Sequence, residues 1–242
     1  MLPLFRKSSH TQPVRQGATI IDKRAGSLRE AIEGVAAGAT VLVGGFGEVG
    51  APAGLLAALL DLGVGDLTIV ANNAGVGEDG LAGLFRSGQV RRVICSYPRS
   101  KGSVWFERRY SAGEVQLELV PQGTLSERIR AGGAGIGAFF TPTGAGSELA
   151  EGKEVRTIDG RPQILEMALP GDVALIKAHR ADRLGNLTYR ASARNYNPTM
   201  AMAGALTLVE ADHLVEVGTI DPEDVITPGI FVDRVVATGT DR

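Results

Sequence analysis

The period of apolar positions changes repeatedly along the chain, and each change marks an element. Ser27-Leu28-Arg29-Glu30 has the spacing of a capping box, and Leu28, Ala31, Ile32 and Val35 follow at helical intervals. Gly38 stops that helix, and Thr40-Val-Leu-Val43 then reads as a buried strand. The segment 53–62 is rich in good helix formers, with Leu55, Leu56, Leu59 and Leu60 making a wide apolar stripe. Strands are predicted over 67–71 and 93–96. A helix over 103–112, a strand over 116–120, a helix over 125–131 and a strand over 136–140 continue the alternation. Segments 173–178, 206–211, 214–217 and 232–238 supply further strands. This alternation implies an α/β fold with an open, mostly parallel sheet covered by helices. One break stands out, because Asp159-Gly160 between strand-like arms over 155–166 predicts a small hairpin excursion. Order is expected to start near Ser27. The chain is therefore divided into a flexible N-terminal arm, 1–25, and a single domain, 26–242.

The densest candidate chemistry follows the first strand, in Gly44-Gly45-Phe46-Gly47-Glu48-Val49-Gly50-Ala51-Pro52. Closely spaced glycines let backbone amides approach a ligand that side chains would hold away. Gly45-x-Gly47-x-x-Gly50 formally matches the dinucleotide fingerprint, which also needs an acidic residue at the end of the next strand. Here that strand ends in Asn72-Asn73, and Asp66 precedes it. No Gly-Lys-Ser/Thr is present, so this is not a P-loop, and the run reads as a loop for another ligand. Glu48 has the chemistry of a covalent nucleophile, but it would face amides that should hold an anion. Asn72 and Asn73 lie where α/β sheets bind ligands and offer neutral groups for an acyl or thioester oxygen. The competing reading is a turn stabilised by asparagine side chains. The run 135–147 is a second strand-and-loop with Phe139, Phe140, Thr141 and Thr143, suited to a pocket with an apolar wall and a few polar anchors. Its similarity to the first loop suggests that both line one cleft.

Other polar features carry weaker signals. Segments 151–154 and 177–183 are densely charged and read first as solvated surface, with carboxylate binding as the alternative. Arg190 and Arg194 are spaced to share a helical face, for packing or an interface ahead of substrate contact. Cys95, inside Val-Ile-Cys-Ser, reads as structural. The 3 histidines form no cluster with metal-ligand spacing, so no metal site is expected.

Composition narrows the partners. Lys plus Arg is 25 against Asp plus Glu 27, a net charge of −2 that gives no case for nucleic acid. No apolar stretch approaches the roughly 18 residues of a membrane span. One cysteine suits a reducing compartment, and a cytoplasmic location is expected. The polar, basic start lacks the apolar run of a secretory signal and reads as a loose arm, with a docking arm as the alternative.

Several motifs occur in order: Gly44 to Pro52, Ile69 to Gly75, Gly137 to Gly144, Glu151 to Glu154, Gly185 to Arg190, Asn195 to Met202 and Ile226 to Val232. Together they resemble the class I coenzyme A transferases, specifically their α subunits. Two modest departures are Ala37-Gly38, where the family usually has Asp or Asn before glycine, and Ser147, where threonine is common. The resemblance implies an open α/β sheet, and pairing with a homologous β subunit, often as α2β2. It further implies ping-pong transfer through a glutamyl-CoA thioester on a glutamate of that β subunit, so no catalytic residue is assigned here. Coenzyme A and acyl-CoA are implied as substrates, with no permanently bound cofactor. Gly44, Gly45, Phe46, Gly47, Glu48, Val49 and Gly50 match the motif for coenzyme A binding. Asn72, Asn73, Phe140 and Thr141 are the candidate pocket residues. Cys95 to Pro98, Val120 to Gly123, Ser126 to Arg130 and Lys177 to His179 resemble the α subunits that act on 3-oxoadipate. An acetoacetate-specific succinyl-CoA transferase is the near alternative, and a noncatalytic acyl-CoA-binding or scaffold protein the alternative from another class.

Overall fold

A computed structural model describes residues 21–239. Its helices and strands in chain order are α1 (Leu28–Ala31), β1 (Thr40–Val43), α2 (Ala53–Leu62), β2 (Leu67–Asn73), α3 (Gly80–Ser87), β3 (Val90–Tyr97), α4 (Val104–Ser111), β4 (Gln116–Leu119) and α5 (Gln122–Gly133). Then come β5 (Ala138–Thr141), β6 (Val155–Ile158), β7 (Arg161–Met167), β8 (Gly171–Asp182), β9 (Leu187–Thr188), α6 (Asn197–Ala203), β10 (Gly204–Val215) and β11 (Arg234–Ala237).

The main sheet runs β11-β10-β8-β1-β2-β3-β4 with every neighbouring pair parallel, and the short β9 adds antiparallel to β8. From β1 the chain steps through β2 and β3 to β4, then returns to the other side of β1 for β8, β10 and β11. The connections leaving β1 and β8 therefore diverge. That divergence is a topological switch point, where open α/β sheets form a ligand crevice at the carboxyl ends of the strands.

Period-two alternation sends successive strand residues to opposite faces. Val41, Val43, Ile69 and Val93 pack with Leu55 and Leu59 of α2, Phe85 of α3 and Phe106 of α4. Leu42, Val70, Ile94 and Ile176 pack with Leu125 and Ile129 of α5 and Met200 of α6. The sheet is thus buried on both faces, which is why β1 reads as a continuous apolar run. Leu59 is fully buried, and truncation to alanine at such a position costs about 2–5 kcal/mol.

Four features differ from the sequence expectations. The ordered edge begins before Ser27: Val235 donates to the Lys23 carbonyl at 2.7 Å and Ala25 to Val235 at 2.8 Å, so Lys23 to Ala25 lie along β11. The rest of the expected arm, 1–20, lies outside the described residues. The first helix is a single turn because Gly34 takes φ 96, ending it ahead of Gly38. Segments 206–211 and 214–215 are one strand, since His213 keeps its pairing with Arg180 across the expected gap, and the strand stops before 216–217. Finally, β5 leaves the main sheet and pairs antiparallel with β7, whose hairpin with β6 turns at Asp159 and Gly160, φ 50 and 72. Strand periodicity identifies a strand without naming its neighbour.

Candidate functional site

The glycine loop occupies the switch point. Gly44 continues the β1–β8 ladder, donating to the Leu175 carbonyl at 2.9 Å. Phe46 and Val49 then exchange hydrogen bonds of 3.0 and 3.3 Å, closing a small hairpin whose tip is Gly47-Glu48. Gly45, Gly47 and Gly50 take φ values of 116, 61 and 72, the region that favours glycine. The amides of Gly47 and Glu48 have no hydrogen-bond partner among the described residues, and both residues are exposed. These two donors at the tip suit an anionic or carbonyl oxygen. A cleft on the α2 side of the loop is lined by Val43, Gly45, Glu48, Leu56 and Asn73. On the α5 side, Phe46 faces Gln122, Ser126, Asn195 and Tyr196 across a second cleft. Phe46 and Val49 are 47% and 50% exposed, so the loop carries two large apolar side chains at its surface.

The helix after the loop is held by a residue that sequence reasoning does not select. Glu210 of β10 is buried and accepts from the Gly54 and Leu55 amides, at 2.7 and 3.1 Å, in the first turn of α2. The N-terminus of α2 is thereby already satisfied by the protein's own carboxylate, so the open donors are at the loop tip instead. Lys177 donates to Glu210 and also pairs with Asp212, each at 2.9 Å. Burial opposes the Lys177 charge, but the bonds to Asp212 and Glu210 outweigh it and raise the pKa. His179 lies 3.2 Å from Asp212. Of the dense charges at 177–183, Lys177 and His179 pair with Glu210 and Asp212, Asp182 separately caps the β8–β9 turn through Leu184 and Asn186, and Arg183 donates to the Ile21 carbonyl.

Two asparagines after β9 pin the stems of the loop. Asn195 accepts from the Gly45 amide at 3.1 Å and donates to the Val49 carbonyl at 2.9 Å. Asn197, fully buried, donates to the Gly50 carbonyl at 3.0 Å and accepts from the Lys177 amide at 2.9 Å. The visible signal is Asn-x-Asn-Pro, whose proline opens α6, a helix the apolar pattern does not mark.

The remaining candidates separate. Asn72 and Asn73 are adjacent on β2 and so point to opposite faces. Asn73 lines the α2-side cleft and accepts from the Gly75 amide at 2.7 Å, the turn role that competes with ligand binding. Asn72 is buried and donates to Ser96 at 3.1 Å. Tyr196 sits by this pair; burial raises its hydroxyl pKa, against the opposing effect of Asn72 and Ser96. Phe140 and Thr141 do not join the loop. Helix α5 returns the chain to the amino-terminal edge of the parallel sheet, so β5 stands at the opposite edge from Gly44–Gly50. There Phe140 lies under the Arg156 guanidinium at 5.0 Å, and Thr141 accepts from the Thr143 amide. Among the described residues, the clefts beside the Gly44–Gly50 loop include no residue of 135–147, so the single cleft expected for both glycine-rich loops is not formed there. Lys153 of the charged 151–154 segment pairs with buried Glu166 at 2.5 Å. Arg190 and Arg194 flank a 3-10 turn and are exposed. Cys95 is fully buried, and burial pushes its thiol up to about 12, which leaves it inert. Among the described residues no group of three or more His, Cys, Asp or Glu is placed to hold a metal ion, and no helix is long and apolar enough to cross a membrane.

A parallel sheet covered on both faces, with a glycine hairpin presenting bare amides at its switch point, defines an open α/β fold. The chain belongs to the coenzyme A transferase family, whose description, Coenzyme A transferase, matches residues 26–238. It is 56% identical over 218 residues to a subunit of the 3-oxoadipate CoA-transferase of Pseudomonas putida, covering 90% of this chain and 94% of the relative. It is 52% identical over 219 residues to a subunit of the succinyl-CoA:3-ketoacid coenzyme A transferase of Xanthomonas campestris pv. campestris (strain B100), covering 90% of each. Among solved structures, glutaconate coenzyme A-transferase from Acidaminococcus fermentans superimposes with a TM-score of 0.80 at 21% identity, over 90% of this chain and 76% of that one, a likeness of fold.

Proposed function

We propose that this chain is the α subunit of a two-chain transferase that moves coenzyme A from succinyl-CoA to a 3-oxo acid, with 3-oxoadipate as the acceptor. The glycine hairpin carries the reading: its open Gly47 and Glu48 amides sit at the switch point of a fold whose relatives are named CoA-transferase subunits. Coenzyme A enters and leaves as substrate, and the nucleophile is a glutamate of a homologous β subunit in an α2β2 assembly. That glutamate attacks the succinyl thioester, expelling the CoA thiolate and forming an anhydride. The thiolate then attacks the glutamyl carbonyl, releasing succinate and leaving a glutamyl-CoA thioester. The 3-oxo acid repeats the two exchanges in reverse and regenerates the carboxylate.

The carboxylates of this chain support that division. Among the described residues, Glu48 is the one carboxylate lining either cleft beside the loop, and it stands exposed at the tip. Buried Glu166, Asp182 and Glu210 are each bonded to structural partners. For the second carboxylate of 3-oxoadipate, Arg99 and Lys101 are exposed in the loop after β3, at the same sheet edge as the hairpin, and make no ion pair among the described residues. With the β partner present, competing 3-oxoadipate against acetoacetate reads the preference as a ratio of kcat/KM values. A ratio favouring 3-oxoadipate by about tenfold or more is expected. A preference for acetoacetate keeps the transferase and overturns the acceptor. CoA binding without any transfer overturns the enzyme in favour of a binding protein or scaffold.

A further inference from the structure

We propose that Asn195 and Asn197 are positioning residues for the coenzyme A loop, and that Gly44 is glycine for the sake of Asn197 rather than for the ligand. This inference rests on the reading of the hairpin as the coenzyme A site. A backbone hairpin with bare amides at its tip orients nothing unless its stems are fixed, because an ordered set of donors acts only when its geometry is set before the ligand arrives.

The stems are fixed from one side by one short segment. Asn195 spans the hairpin, joining the Gly45 amide on the entering stem to the Val49 carbonyl on the leaving stem. Its own position is held by the Ser192 carbonyl at 2.9 Å and the Tyr196 amide at 2.7 Å. Asn197 ties the Gly50 carbonyl to the Lys177 amide, and so to β8 across the switch point. Each asparagine uses both its carbonyl and its amide, which a carboxylate or an aliphatic side chain cannot do.

The glycines divide accordingly. A Cβ on Gly44 would lie 1.9 Å from the Asn197 Oδ1, and one on Gly50 would lie 2.5 Å from the Ala193 carbonyl and 3.0 Å from the Asn195 Nδ2. A Cβ on Gly47 would meet nothing within 4 Å. Gly44 thus makes room for Asn197, Gly50 is set by its left-handed backbone and the close Ala193 carbonyl of the segment that carries the asparagines, and Gly47 is left as the glycine of the open tip. Positioning by Asn195 predicts a loss that falls on one substrate.

The test measures initial rates of the complex between this chain and its β partner, with succinyl-CoA and 3-oxo acid varied separately. Asn195 is only half-buried, so its variants are expected to fold and assemble. Asn195→Ala should raise the KM for succinyl-CoA about tenfold, while the KM for the acceptor stays within about twofold and the melting midpoint stays near that of the parent. Asn195→Asp keeps an acceptor for Gly45 but sets an oxygen against the Val49 carbonyl, and should give a rise at least as large. Parallel changes in both KM values, or a lower kcat at unchanged KM, would mark a merely structural residue and overturn the proposal. Full retention by Asn195→Asp would overturn it too, since the bond to Val49 would then be dispensable. Gly47→Val separates the two levels of the argument. If it raises the succinyl-CoA KM while Asn195→Ala does not, the clamp fails and the coenzyme A reading survives. If neither variant moves that KM, both fall.

Discussion

Replacing Glu210 by alanine removes one buried carboxylate and four of its interactions at once. The Gly54 and Leu55 amides lose their acceptor, Lys177 is left with one carboxylate, Asp212, beside the Thr238 hydroxyl, and that hydroxyl loses its own bond of 3.1 Å to Glu210. Loss of a helix cap alone costs about 0.5–2 kcal/mol, and breaking a buried ion pair from one side costs about 3–5 kcal/mol. Lys177 retains a second carboxylate, so its charge is not left bare, and a total of about 3–5 kcal/mol is the expected loss. For a chain of this size, that lowers the melting midpoint by about 6–20 °C, at about 2–4 °C per kcal/mol. Glu210→Gln keeps an acceptor for the α2 amides but gives up the charge facing Lys177, and should lose about 1.5–3 kcal/mol. Urea unfolding followed by far-ultraviolet circular dichroism measures both, with the slope checked for constancy. An alanine variant within about 0.5 kcal/mol of the parent, the range of ordinary surface changes, would refute the capping role.

Gly44→Ala drives a Cβ into the buried Asn197 carboxamide and should be far more destabilising than Gly47→Ala, which meets open space and costs about 1–2 kcal/mol for its left-handed backbone; urea midpoints compare the two. Partial burial pushes the Glu118 carboxyl up, but Arg128 and then Arg92 outweigh it and hold it below the ordinary glutamate value of about 4.3. Its contribution is therefore present at neutral pH and lost as pH falls through the depressed value. The stability gap between the parent and Glu118→Gln should shrink between about pH 7 and about pH 3, and a constant gap would contradict the pairing. Cys95 should resist an aromatic disulfide reagent in the folded chain at about pH 8 and react promptly after unfolding; equal rates would contradict its burial.

The parts of the fold legible in the sequence are those where local pattern and tertiary role coincide. Strand β1 is buried on both faces and reads as an unbroken apolar run. Asp159-Gly160 needs two positive φ values and reads as a tight turn. The glycine hairpin is legible for the same reason. Long-range partners are not. Glu210 lies 155 residues or more from the amides it caps, and nothing near it in sequence distinguishes it from a surface carboxylate. Asn195 and Asn197 meet the hairpin across about 150 residues, so their motif is visible while its contacts are not. Phe140 and Thr141 resemble a second ligand loop because composition is blind to which edge of a sheet a connection reaches. Asn72 and Asn73 read together as a pair, but period-two geometry divides them.

The central claim is that this chain presents coenzyme A while its partner carries the bond-forming carboxylate. Intact-mass spectrometry of the two chains, following brief incubation of the complex with succinyl-CoA and no acceptor, tests that division most directly. The account predicts a coenzyme A adduct on the partner and none on this chain, lost when 3-oxo acid is added. An adduct on this chain, with Glu48 as the exposed carboxylate of the hairpin, would contradict it.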